Sequence, residues 1–114
     1  MSLSTHVLDA ALGRPAQGVH VVLLELAEQT WIPVAEGQTD ADGRLRPRPH
    51  TGGELELRPS VYRIDFDTGA YFRKTGQAGF YPQVSITFEV TDAAAHHHVP
   101  LLLSPFAYST YRGS

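Results

Sequence analysis

The chain has 114 residues, one domain's length, and its 42% hydrophobic and 18% charged residues place it among globular rather than disordered chains. It contains no cysteine, which removes disulfides, thiolate metal sites and a cysteine nucleophile together. Nine basic against twelve acidic residues leave a net charge of -3, the wrong sign for a general nucleic-acid binder. No apolar run approaches the ~20 residues needed to cross a bilayer. A patterned segment begins near Leu3, leaving no room for an export signal, and Arg112-Gly113-Ser114 is not a peroxisomal address. The expectation is one cytoplasmic domain over 1–114 with neither nucleic acid nor membrane as partner.

Eight prolines and ten glycines spread along the chain argue against long helices, because each proline fixes φ and removes a donor. Leu3 to Leu8 is strand-like, with His6 sharing a face with Ser4 and Leu8. Val19 to Leu26 is an apolar run that predicts a strand, and Thr30 to Gln38 follows it in hairpin fashion after Ala27-Glu28-Gln29. Val61 to Phe66 alternates, with Tyr62, Ile64 and Phe66 on one side; Val84 to Val90 turns Val84, Ile86, Phe88 and Val90 inward. Thr68 to Gln77 lacks alternation and predicts a short helix. His97 to Ser104 and Ala107 to Tyr111 complete the strands, parted by Ser104-Pro105. Seven or eight short strands with turns between them predict an all-β sandwich carrying one short helix.

Three groups of residues carry possible chemistry. His96, His97 and His98 lead into the apolar Val99 to Leu103; on a strand His96 and His98 share a face and His97 takes the other. An H-x-H pair is a metal-ligand spacing, but two histidines need a third ligand to make a site, and a solvated turn is the readier account of them. In Gly43 to His50, an extended chain puts Arg44, Arg46, Arg48 and His50 on one face and Leu45, Pro47 and Pro49 on the other. That pattern either protects a sheet edge from pairing with other chains or presents a positive surface to an anionic or strongly polar small molecule. His6 is the third group, and a histidine in such a place is ordinarily a surface or packing residue. No serine lies in a Gly-x-Ser-x-Gly elbow, there is no glycine-rich phosphate loop, and Asp40-Ala41-Asp42-Gly43 reads as a tight turn, since Thr51 stands where a calcium loop needs glutamate.

These pieces occur together in an order that resembles the transthyretin-like family, and within it the 5-hydroxyisourate hydrolases. The resemblance runs through Ser4-Thr5-His6-Val7-Leu8-Asp9, Gly13-Arg14-Pro15-Ala16, Thr39-Asp40-Ala41-Asp42-Gly43-Arg44, Tyr62-Arg63-Ile64 and Phe80-Tyr81-Pro82. It closes with His98-Val99-Pro100-Leu101-Leu102-Leu103-Ser104-Pro105 and Tyr108-Ser109-Thr110-Tyr111-Arg112-Gly113-Ser114. What the resemblance implies is a β-sandwich of two four-stranded antiparallel sheets with one short helix. It also implies a homotetramer, a dimer of dimers with its sites at the dimer–dimer interface. The implied reaction is cofactor-free and metal-free hydrolysis of 5-hydroxyisourate to 2-oxo-4-hydroxy-4-carboxy-5-ureidoimidazoline in urate degradation. By motif, His6, Arg44 and His98 are the implied catalytic residues, and Tyr111 and Ser114 line the same site. The residue types suit this chemistry: a histidine titrating near pH 6.5 can deprotonate water and return a proton, and an arginine can steady negative charge developing on oxygen.

Two positions depart from the family pattern. His97 replaces the tyrosine of H-Y-H, and Ala107 replaces the glycine of S-P-F-G-Y; alanine there costs roughly 1 kcal/mol if that position needs positive φ. Two other functions compete. A non-catalytic carrier of the same family lacks the histidine of T-H-V-L-D and the terminal Y-R-G-S, both present here. A metal-dependent hydrolase would use His96 and His98, with His6 as a further ligand.

Overall fold

The computed structural model describes residues 2–114. Its strands are β1 (Ser2–Asp9), β2 (Arg14–Pro15), β3 (His20–Ala27), β4 (Thr30–Gln38), β5 (Arg44–Leu45), β6 (Ser60–Phe66), β7 (Val84–Val90), β8 (His96–Ser104) and β9 (Ala107–Thr110). The one helix among the described residues, α1, is Thr68–Lys74. One sheet is ordered β2-β1-β8-β9 with β5 also on β1, and the other is ordered β4-β3-β6-β7.

The two-sheet sandwich with one short helix is as expected, with two differences in the first sheet. Short β5 makes it five-stranded, and β1 runs parallel to β8 instead of antiparallel. No hairpin joins β1 to β8, so no short connection forces them to run in opposite directions.

Local chemistry explains the other elements. The β3–β4 turn places Glu28 and Gln29 at φ 49° and 69°, the positive values that a two-residue hairpin turn needs to match strand twist. Pro33 is tolerated because β4 is an edge strand. Asp67 caps α1 by accepting from Ala70 N at 3.1 Å, and Gly76 at φ 69° stops it soon after Lys74, short of the expected Gln77. The core between the sheets holds Leu3, Val7, Leu23, Ile64, Phe66, Phe72 and Leu101. A buried carboxylate joins sheet to helix: Asp9 accepts from Tyr71 Oη at 2.7 Å and Gln77 Nε2 at 3.0 Å. Burial pushes that carboxyl up, but bonds from Tyr71, Leu12, Gln77 and Ala11 outweigh it and hold the pKa below the ordinary aspartate value.

Ala107 lies in β9, and the only non-glycine residues with positive φ among those described are Glu28 and Gln29, so alanine carries no backbone penalty there. His97 is 5% exposed and points into the sandwich, as alternation required. Its Nδ1 meets no hydrogen-bond partner among the described residues. Burial, followed by the Arg112 charge, lowers its pKa, with the Ala95 backbone partly opposing.

Candidate active site

Alternation divides β1 into two faces. Leu3, Thr5, Val7 and Asp9 are buried, while Ser4, His6 and Leu8 are half-buried on the outer face. Parallel pairing with β8 sets Ser4 opposite His98, and antiparallel pairing with β5 sets His6 opposite Arg44. Three strands therefore deliver His98, Ser4, His6 and Arg44 to one face of the first sheet.

Each of these groups is held. Ser4 Oγ lies 2.8 Å from His98 Nδ1 and 3.0 Å from His96 Nε2, and the two rings stack with centroids 6.5 Å apart. A hydroxyl has one proton, so it donates to one ring and accepts from the other. If His98 Nδ1–H donates to Ser4 and Ser4 donates to His96, the Nε2 lone pair of His98 is left for chemistry. His6 Nε2 donates to the Asp42 carbonyl at 2.8 Å, leaving its Nδ1 as the free nitrogen. The Asp40–Gly43 turn sets Arg44: Asp40 Oδ1 accepts from Asp42 N at 2.8 Å and Arg44 N at 3.0 Å. Gly43 is required there, because its φ is 74° and a Cβ would overlap the Val7 carbonyl oxygen.

A cavity of about 490 Å³ is lined by Ser4, Asp40, Arg44, Arg46, Arg48 and His98 among others. Burial lowers the His98 pKa, the Ser4 backbone opposes this, and the charges of His6, His96 and Arg44 lower it further. His98 is therefore a neutral base at neutral pH.

Of the five residues singled out from sequence, His6, Arg44 and His98 come together on one sheet face. Tyr111 lines a second cavity, of about 240 Å³, with His97, His98 and Arg112, so His98 stands in the wall of both. Ser114 is exposed and lines neither, but its neighbour Gly113 donates to the His98 carbonyl at 2.9 Å. A Cβ on Gly113 would collide with the His98 ring. The terminal segment is thus laid against His98 through the one residue small enough to fit. Ser4 was not singled out as a site residue; its shared face with His6 was readable, but the β1–β8 register that brings it to His98 was not. No group of three or more His, Cys, Asp or Glu gathers as a metal site among the described residues. The H-x-H pair is instead bridged by a serine hydroxyl.

A family model described as "HIUase/Transthyretin family" matches residues 3–113. A 5-hydroxyisourate hydrolase of Mus musculus is 44% identical over 98% of this chain and 94% of its own length. The structure of a Klebsiella pneumoniae 5-hydroxyisourate hydrolase superposes with a TM-score of 0.84 at 34% identity, covering 100% of both chains. A sea bream transthyretin in complex with thyroxine superposes with a TM-score of 0.87 at 33% identity, over 99% of this chain and 95% of that one. Backbone similarity is thus no guide to hydrolase or carrier, and that choice falls to the side chains on the outer face of β1. The chain belongs to the HIUase/transthyretin family.

Proposed function

We propose that this chain hydrolyses 5-hydroxyisourate to 2-oxo-4-hydroxy-4-carboxy-5-ureidoimidazoline, with His98, His6 and Arg44 as its catalytic residues. The observation that carries this reading is His98, a neutral imidazole tethered through Nδ1 to Ser4, in the same cavity as Arg44 and paired through β1 and β5 with His6. In the reaction, water attacks the ring carbonyl while a histidine takes its proton. The carbonyl oxygen gathers charge opposite the Arg44 guanidinium, the C–N bond breaks, and the departing nitrogen receives a proton. His98 and His6 share the base and acid roles. In this reading Tyr111, in the neighbouring cavity that shares His98, and the exposed Ser114 join the site from the terminal segment that Gly113 anchors. These side chains supply base, acid and charge stabilisation among themselves, so the mechanism assigns no metal or organic cofactor.

The same reading includes a homotetramer with sites completed between dimers. Edge strands β7 and β9 meet at one cavity, lined by Ile86 and Phe88 from one sheet and by Thr110 from the other. Along that margin Phe106, Tyr108 and Tyr111 are 71%, 41% and 59% exposed, an apolar surface of the kind that association covers. A cytoplasmic location accompanies this reading, on the composition already described; no helix among the described residues is long and apolar enough to cross a membrane.

The test is a coupled assay in which urate oxidase generates 5-hydroxyisourate and its ultraviolet band is followed. Decay faster than the spontaneous rate, proportional to protein and abolished by His6→Ala and Arg44→Ala, is expected. His98→Asn should lower turnover on the order of 100-fold or more while the protein stays folded. Buffer-rate decay from a folded tetramer would point to a carrier on this scaffold.

A further inference from the structure

The segment after Arg44 has no part in the chemistry above, yet its arrangement is specific. Pro47 is buried and Leu45 and Pro49 are half-buried, whereas Arg44, Arg46, Arg48 and His50 are exposed. The backbone of Arg48 pairs with Glu36 on β4 in both directions, at 3.0 and 3.1 Å. The Glu36 carboxylate in turn lies 3.0 Å from His20 Nε2 and 3.3 Å from His50 Nδ1. The arm is pinned at its far end, so its arginines are presented from fixed backbone.

Its charges are also unbalanced. Arg58 is neutralised by Glu25 at 2.7 Å and Arg63 by Asp65 at 2.9 Å. Among the described residues no carboxylate forms an ion pair with Arg44, Arg46 or Arg48. Arg46 and Arg48 line the cavity that holds Arg44 and His98, and they also line an adjoining cavity of about 240 Å³ with Leu3, Pro47, Gly53, Glu54 and Leu55. One carboxylate faces the arginines in each cavity, Asp40 in the first and Glu54 in the second. A chain with net charge -3 therefore keeps a positive strip beside its site.

A neutral cyclic imide gives that strip little to do, since Arg44 already meets the reacting carbonyl. Ring opening creates a new need. The water oxygen bonds to the carbonyl carbon, the C–N bond breaks, the nitrogen takes a proton, and the new carboxylic acid releases its proton at neutral pH. A carboxylate now exists where there was none. Arg46 and Arg48 are same-face residues of an extended segment, roughly 7 Å apart along the chain, a spacing two long guanidinium arms can close on one carboxylate. We propose that Arg46 and Arg48 form an anion subsite between the two cavities that takes the carboxylate produced by ring opening. The assignment of the carboxylate rests on the hydrolase reading; the presence of an anion subsite does not.

The test uses binding, independent of turnover. Orotate and uracil share a planar imide ring and differ in the carboxylate, and each is titrated calorimetrically into the protein at low and high salt. The expected result is at least about tenfold tighter binding of orotate, the scale of one charge-assisted hydrogen bond, with the preference shrinking in salt. In an Arg46→Gln, Arg48→Gln double variant with unchanged melting temperature, that preference collapses. Should the double variant fold poorly, Arg46→Gln alone is expected to lower it about threefold or more. No preference for orotate in the wild type, or a preference that survives the substitutions, overturns the proposal. A wild-type protein that prefers orotate but does not accelerate 5-hydroxyisourate decay would overturn the hydrolase reading and leave the anion subsite standing.

Discussion

Replacing Ser4 by alanine removes the hydroxyl that lies 2.8 Å from His98 Nδ1 and 3.0 Å from His96 Nε2. For His98 to act as a base through Nε2, its proton must sit on Nδ1 and must have an acceptor. Without Ser4 Oγ that N–H is unpaired in a half-buried position, and the ring is free to change tautomer or turn. An unmade hydrogen bond of this kind costs about 1–3 kcal/mol, and solvent access to a half-buried ring favours the lower part of that range. A loss of about 1.4 kcal/mol is tenfold in rate, so kcat/KM of Ser4→Ala should fall about tenfold in the coupled ultraviolet assay after subtraction of spontaneous decay. Ser4→Thr keeps the hydroxyl and should recover most of the loss. The acid limb should stay below pH 6.5 in both variants, because the largest cause of the lowered His98 pKa is burial. A folded Ser4→Ala protein within twofold of wild type would refute the argument that this hydroxyl positions the base.

The same depressed pKa values make stability pH-dependent. Between the folded pKa values of His97 and His98 and the unfolded value near 6.5, the unfolded chain binds more protons, so melting temperature should fall as pH drops below about 6.5. His97→Phe removes one of these groups together with its unpartnered Nδ1; it should raise the melting temperature and flatten its acid dependence, and a lower or unchanged value at pH 5 would contradict this. Tyr71→Phe deletes the hydroxyl that donates to Asp9 at 2.7 Å and should cost about 1.5–3 kcal/mol in denaturant unfolding, the range for bonds to charged groups. Gly113→Ala pushes a methyl into the His98 ring and should depress kcat/KM more than it depresses stability; equal turnover would show that the terminal segment does not bear on His98.

Much of the sandwich was legible because strand parity and proline placement are local. Thr30–Gln38 stands where the hairpin put it and Val84–Val90 where alternation did, and in β6 Tyr62, Ile64 and Phe66 share one side, which faces inward. The arginine–proline segment also turned its faces as an extended chain must, with Pro47 in and Arg46 out. What could not be read was pairing between strands far apart in sequence. Nothing in Ser2–Asp9 or His96–Ser104 announces a parallel register of Ser4 with His98, because no short turn links them. For the same reason spacing alone left His6, Arg44 and His98 as three separate weak signals, and it was their resemblance to a family motif that grouped them. The backbone reason for Gly113 became visible only once its neighbour across the bridge was His98.

The two faces of β1 explain why function and stability should separate in some variants and not in others. Leu3, Thr5, Val7 and Asp9 belong to the interior, while Ser4 and His6 belong to the outer face and reach the core only through the backbone. A side-chain deletion on the outer face leaves the interior contacts in place, so Ser4→Ala and His98→Asn should lose activity at nearly native melting temperature. The insulation fails where backbone itself touches the site. Gly43 presses on the Val7 carbonyl while positioning Arg44, and a side chain there would have to move β1 and the catalytic arginine together. Gly43→Ala should therefore cost both stability and turnover, through the forbidden φ and the overlap with β1. Loss of turnover alone in that variant would mean that the turn can shift without disturbing β1, and that Arg44 is placed by its side chain rather than by the strand pairing with His6.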